Sequence, residues 1–295
     1  MAFQERFVSV FVASLSRKCN FVLNELFSMQ NNLPKRLTVK VGSNLLTRPD
    51  GNLNVTRMSA LVDQIAYLRS KGIEVILVSS GAVASGRSMI SPVGDLSEVD
   101  SRQLFSAIGQ AKLMGRYCDL FRDHGIVVGQ VLTMKESFST PELYNNQRNC
   151  MQVMLRNGVI PIVNENDTVS LGELMFTDND ELSGVIATMM ECDSLIILTN
   201  VDGVYDGDPS AEGSSPIREI HPDDSLEGYL SSGKSTHGRG GILSKTRVAR
   251  QVAAEGIEVV VACGSRENIL PLLVEHRDTV PCTVFVPSKK DVKVD

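Results

Sequence analysis

The sequence predicts an α/β fold, a three-layer αβα sandwich with a mostly parallel central sheet. Three observations carry this. Six short, β-branched apolar runs recur along the chain, and segments of helical period lie between them. The runs are continuous rather than alternating, as in strands covered on both faces. Glycine turns and an acidic segment fall at the ends of the runs, where such sheets bind ligands. In order, "LTVKVG" (37–42) is the first run, and "TRMSALVDQIAYLRSKG" (56–72) is a helix closed by a glycine. "EVILVSS" (74–80) follows, then a polar connection, "SPVGDLSEVD" (91–100), with the character of a lid. A long helix is expected over 101–125, then strands "IVVGQVL" (126–132) and "VIPIVN" (159–164). A helix begins at "ELSGVIATMM" (181–190), before the strand "LIILT" (195–199). A polar stretch over 206–241, rich in glycine, serine and proline, reads as one long loop. "KTRVARQVAAEG" (245–256) and "IEVVVAC" (257–263) complete the alternation.

Composition narrows the class. With 295 residues, 42% hydrophobic and 22% charged, the chain is globular rather than disordered. A net charge of −6 argues against a general nucleic-acid binder, which would show a basic face. The six cysteines (19, 118, 150, 192, 263, 282) include no C-x-x-C pair, so reduced thiols in a cytoplasmic protein are expected, with no zinc site or disulfide framework. Four histidines without H-E-x-x-H spacing give no sign of metal ligation. No apolar run reaches the roughly 18 residues of a membrane helix. Residues 1–36 contain "FVSVFVASLS" between Arg6 and "RK". They fit a degenerate targeting segment or an amphipathic helix with apolar positions 3, 7, 11 and 15, and are expected to form a non-catalytic extension.

Three strand ends run into small-residue turns: "VKVGSNLLT", "VSSGAVASG" and "GRGGILSK", the last placing a glycine turn before Lys245 near the start of a helix. Amides that open a helix can hold an anion. None of the three matches the Walker or Rossmann glycine pattern. Lys40 stands between Val39 and Val41, where an ammonium requires either an anionic partner or an edge strand from which to snorkel. "FTDNDELS" (176–183) gathers Asp178, Asn179, Asp180 and Glu181. Thr177 or Asp178 can cap the following helix, with an acid three residues on.

Taken in order, "VKVGSNLL", "VILVSSGAVASGR", "RQLFSAIGQAKLM", "VIPIVNENDTV", "TDNDELSGVIA", "LTNVDGVYDGDP" and "GRGGILSKTRVA" resemble the amino acid kinase family and, within it, the glutamate 5-kinases. The resemblance implies a kinase domain over 37–286, an N-terminal extension over 1–36 and a tail over 287–295. It leaves no room for the C-terminal PUA domain of many bacterial members. It implies ATP-dependent phosphorylation of the γ-carboxylate of L-glutamate with Mg²⁺, at the first step of proline biosynthesis. By position, Lys40 and Lys245 embrace the transferred phosphoryl group and Asp180 holds both. Ser80, Asp167 and Asn179 contact glutamate, with Gly81, Asn164 and Asp178 close by. The ATP site takes Lys40, Gly42, Ser43, Thr199, Asn200, Arg239, Gly240, Gly241, Ile242, Leu243, Ser244 and Lys245; no protein metal ligand is expected. Two departures stand out: Asn200 replaces a common aspartate, and "GRGGILSK" has arginine and leucine where relatives often carry threonine. The family also implies feedback by L-proline, a glutamyl phosphate reductase downstream, and a homo-oligomer, dimer or tetramer. The alternatives are another member acting on a different carboxylate or phosphate, or a non-catalytic amino-acid-sensing module.

Overall fold

The computed structural model describes residues 33–170, 176, 178–209, 211, 213–225 and 239–288, with only the backbone of 239–241. Residues 1–32 of the expected extension, Thr177, the end of the tail and part of the 206–241 stretch lie outside the described residues, and Arg36, placed in the extension, belongs to the first strand. The chain divides into units Met1–Pro34 and Lys35–Asp295, and the fold is that of the second.

Eight strands form one sheet: β1 (Arg36–Val41), β2 (Glu74–Ser79), β3 (Val128–Thr133), β4 (Ile160–Glu165), β5 (Ser194–Thr199), β6 (Glu219–Ile220), β7 (Glu258–Cys263) and β8 (Cys282–Phe285). Their order is β3-β4-β2-β1-β5-β7-β8-β6. All neighbours are parallel except the β7–β8 pair. The antiparallel β8 and the two-residue β6 were not expected. Periodicity does not mark them, because β6 is too short and β8 closely follows a helix.

The helices are α1 (Ser43–Leu46), α2 (Val55–Ser70), α3 (Ala82–Arg87), α4 (Glu98–Arg122), α5 (Pro141–Arg156), α6 (Asn179–Met189), α7 (Arg239–Ala254) and α8 (Ile269–Glu275). Helices α5, α6 and α7 cover one face of the sheet, over a core that includes Ile76, Val78, Val163, Ile197, Ile186 and Val252. Helices α2, α4 and α8 lie on the other. None of the described helices is long and apolar enough to cross a membrane. Cys118, Cys150, Cys192, Cys263 and Cys282 are free thiols.

Two boundaries differ from expectation. Helix α4 begins at Glu98 rather than 101, because Ser97 accepts the Asp100 amide and takes Glu98 and Asp100 into the first turn. The last three residues of the expected polar connection are therefore helix. Helix α7 begins at Arg239, so the glycine pair of "GRGGILSK" sits in its first turn and Lys245 in its second. Packing of Thr246, Val248 and Ala249 sustains a helix there that glycine propensity disfavours.

Helices α3 and α4 approach closely enough that their backbones touch. A Cβ on Gly86 would overlap the Phe105 carbonyl, and one on Gly109 would overlap the Ala82 carbonyl. Gly109→Ala is expected to destabilise the protein by about 2–3 kcal/mol, read as a lower denaturant midpoint. Gly115→Ala on the same helix, where a Cβ meets nothing within 4 Å, should be neutral or stabilising. Equal midpoints for the two variants would show that the helices separate without cost.

Candidate active site

The carboxyl ends of β1, β2, β4 and β5 lie side by side and set out the site. Lys40 is in β1, between β2 and β5, aligned with Val78 and Ile197. It is therefore a central-strand lysine, not an edge lysine that snorkels. Its side chain is 7% exposed, and its Nζ lies 2.7 Å from Asp180 Oδ1. Lys245 reaches the same carboxylate from α7, with Nζ 2.8 Å from Oδ2. Two ammonium groups some 200 residues apart in the chain thus share one carboxylate that is 1% exposed.

Burial pushes the Lys40 ammonium below its ordinary pKa, opposed by attraction to Asp180 and reinforced by repulsion from Lys245. A buried cation is retained here only because an anion faces it.

The α6 start explains the acidic segment. Asp178 is the N-cap, and its Oδ1 accepts the amides of Asp180 (3.0 Å) and Glu181 (3.1 Å). Its other oxygen accepts Ser244 Oγ–H at 2.6 Å, which ties α6 to α7. Asp180 follows in the first turn, where a carboxylate also complements the helix dipole. The acid expected to close a capping box, Glu181, reaches Lys135 at 3.2 Å.

A cleft of about 590 Å³ opens beside this triad. Of the expected residues it is lined by Ser43, Ser80, Gly81, Asn164, Asp167, Asp178 and Asn179. Gly81 is the N-cap of α3 at φ 101°, a left-handed backbone that glycine adopts freely. Asn179 Nδ2 donates toward the Ser79 carbonyl (2.9 Å), Ser80 Oγ (2.8 Å) and Asn164 Oδ1 (2.9 Å). Ser79 Oγ is 2.9 Å from the buried Tyr117 hydroxyl, so α4 pins the end of β2.

The expected nucleotide residues fall around the triad. Gly42 is the N-cap of the single-turn α1, and a Cβ there would lie 3.6 Å from Lys40 Nζ. Thr199 ends β5 and donates to Asn200 Oδ1 at 3.2 Å. Arg239, Gly240 and Gly241 open α7, Ile242 packs on the core and Leu243 is exposed.

Sequence reasoning missed three cleft neighbours on α3 and α4. Arg102 donates to Asp167 Oδ1 through Nε (2.8 Å) and Nη2 (2.5 Å), and to Glu165 Oε2 at 3.3 Å. Buried Glu165 also accepts Ser170 Oγ–H and the Phe176 amide. Arg87 lines the cleft with its guanidinium over the Phe105 ring, 5.4 Å from the centroid. Gln110 Oε1 accepts Asn164 Nδ2 at 3.0 Å. All three lie inside motifs that carried the family resemblance, yet nothing in their spacing marks them as part of the site. Among the described residues no group of three or more His, Cys, Asp or Glu side chains is placed to hold a metal ion.

Comparison with known proteins gives the family. Residues 35–263 match the amino acid kinase family. The chain is 63% identical over 257 residues to the glutamate 5-kinase of Bacteroides thetaiotaomicron, covering 87% of this chain and 71% of that protein. It is 45% identical over 244 residues to the glutamate 5-kinase of Chlorobaculum tepidum, covering 82% and 67%. In fold it is similar to the UMP kinase of Bacillus anthracis, with a TM-score of 0.57 at 16% identity over 86% of this chain and 96% of that one.

Proposed function

The chain belongs to the amino acid kinase family and, within it, to the glutamate 5-kinases, and on that premise we propose how its residues carry a phosphoryl group from ATP to the γ-carboxylate of L-glutamate. The product is L-glutamyl 5-phosphate, at the first step of proline biosynthesis. The observation that carries the assignment of roles is the shared carboxylate: Asp180 holds Lys40 and Lys245 at one point beside a cleft lined by amides, hydroxyls and acids.

The transfer forms a bond from a γ-carboxylate oxygen to the γ-phosphorus and breaks the bond from that phosphorus to the oxygen bridging it to the β-phosphate. ADP leaves. The attacking carboxylate is ionised at neutral pH, so no general base is needed. The difficulty is bringing two anions together, and catalysis is positioning and charge stabilisation. Lys40 and Lys245 supply that charge, and Asp180 keeps both ammonium groups converged. Gly42 and Ser43 offer backbone amides to the phosphates. As α1 is one turn long, it contributes these as hydrogen bonds more than as a dipole. Thr199, Asn200 and the segment from Arg239 to Lys245 line the nucleotide. Ser80, Gly81, Asn164, Asp167, Asp178 and Asn179 hold the glutamate.

For Mg²⁺, the donor set favours an ion carried on ATP oxygens and waters, where it would screen phosphate charge. Asp178 and Asp180 are already engaged by amides, Ser244 and the two lysines. The same reading takes residues 37–286 as the kinase domain. It brings with it L-proline as feedback inhibitor, glutamyl phosphate reductase as consumer of the product, a homo-oligomer and a cytoplasmic setting.

The test is ADP release across a panel of acceptors, with hydroxylamine trapping of the acyl phosphate. Glutamate-dependent ADP release with hydroxamate formation is expected. Turnover with N-acetylglutamate or aspartate but not glutamate would overturn the substrate, and no turnover with any acceptor would favour a sensor.

A further inference from the structure

Residues 88–97 join α3 to α4. Their sequence, "SMISPVGDLS", holds one charge, Asp95, and turns apolar side chains to water. Met89 is 50%, Ile90 37% and Val93 99% exposed. From Ile90 to Leu96 neither backbone nor side chain makes a hydrogen bond or ion pair with any described residue. A stretch without such bonds, and with little apolar surface buried, lies at the low-stability end of a fold. Apolar side chains gathered in water mark a surface that is covered in another state.

The ends of the segment, by contrast, are fixed. The Met89 amide donates to the Gly86 carbonyl at 2.9 Å, and Ser88 Oγ–H to the Ser85 carbonyl at 2.7 Å. Ser97 caps α4 by accepting the Asp100 amide at 3.1 Å, and the backbones of α3 and α4 touch at Gly86 and Gly109. Both ends also issue from the cleft: Val83, Ala84 and Arg87 line it before the segment, and Glu98, Ser101 and Arg102 after it. Val93 is five residues from Glu98 and six from Arg87. An extended arm of five residues reaches roughly 17 Å, and a sphere of the cleft's volume is about 10 Å across. The tip can therefore cross the cleft while its posts stay in place.

We propose that residues 88–97 are a lid that closes over the cleft when acceptor and nucleotide are both bound, with Met89, Ile90 and Val93 turned from solvent onto its open side. This rests on the phosphoryl-transfer reading above and adds a task that transfer requires. In an open cleft, water can attack the γ-phosphorus in place of the carboxylate. The bond to the bridging oxygen then breaks, ADP leaves, and inorganic phosphate and a proton are released with no acyl phosphate formed. A closed apolar cover excludes that water and keeps ATP use coupled to the acceptor.

Hydrogen exchange of the full chain reads the closure directly. The amides of residues 90–96 should exchange fast in the free enzyme and about tenfold more slowly with saturating glutamate and a non-hydrolysable ATP analogue. Exchange that stays fast with both ligands bound overturns the lid. Exchange already slow without ligands, and slower at higher protein concentration, would make the segment a contact between copies and overturns it too. A second readout is the hydroxamate trapped per ADP released. Val93 is almost fully exposed, so a merely structural role predicts that Val93→Ser changes nothing. The lid predicts an unchanged denaturant midpoint but about threefold to tenfold less hydroxamate per ADP, with Val93→Ile within about twofold of wild type. A wild-type ratio in Val93→Ser would sink the proposal. A wild type that turns glutamate over while residues 90–96 do not respond removes the lid alone, whereas a wild type without glutamate-dependent ADP release removes the phosphoryl-transfer reading itself.

Discussion

A Lys245→Ala variant is expected to lose about two to three orders of magnitude in kcat while binding glutamate within about twofold of wild type. The reason is where the residue stands. Lys245 comes from α7 and touches Asp180, but it is not part of the cleft lining, which is built by Ser43 of α1, the turn after β2, the end of β4 and the residues after it, α3, α4 and the start of α6. Its charge therefore matters where the phosphoryl group passes, not where the amino acid rests. Removing it leaves Lys40 still paired with Asp180, so the fold should hold. Steady-state kinetics with calorimetric glutamate binding separates the two effects. A near-wild-type kcat would take Lys245 out of catalysis. An intact kcat with a large loss of glutamate affinity would move it to the substrate site.

Asp180→Asn should be the most damaging conservative change in the protein, destabilising it by about 3–5 kcal/mol. The carboxylate is almost fully buried and faces two ammonium groups, which after the exchange would repel each other with no anion between them. The pH dependence identifies the cause. Lys40 is already held below its ordinary pKa by burial, with Asp180 the main opposing influence. Without that anion its folded pKa falls further. Between the folded and unfolded values the unfolded chain binds more protons, so stability rises with pH across that window. The deficit of the variant relative to wild type should therefore shrink as pH is raised from 7 toward 10, and kcat should not recover with it. A deficit independent of pH would mean that lost packing, not uncompensated charge, is responsible. A stability equal to wild type would mean that the lysines do not depend on Asp180.

Much of this arrangement is legible in the residues. Continuous apolar runs such as "VILVSS" and "LIILT" read as strands buried on both faces, and they form β2 and β5, which flank β1. Lys40 stands between two valines, where its ammonium needs either an anion or an edge strand. Asp178, Asn179 and Asp180 bring more polar groups together than one helix cap requires.

Local chemistry therefore determined six of the eight strands, the helices α2, α4, α6 and α7, the α6 cap and the identity of the charged residues that need partners. The resemblance to the family already implied that Lys40 and Lys245 meet on Asp180; only the tertiary structure decided that Arg102 rather than solvent faces Asp167, and that Gln110 and Ser79 orient Asn164 and Asn179. It also decided that α7 begins at Arg239 and that β8 runs antiparallel to β7. The physical reason is range. Periodicity and capping act within a few residues, whereas a buried charge or amide is satisfied by whatever the fold brings to it. Here those partners lie between 15 and 100 residues away for Asn179 and 65 residues away for both Asp180–Lys245 and Asp167–Arg102.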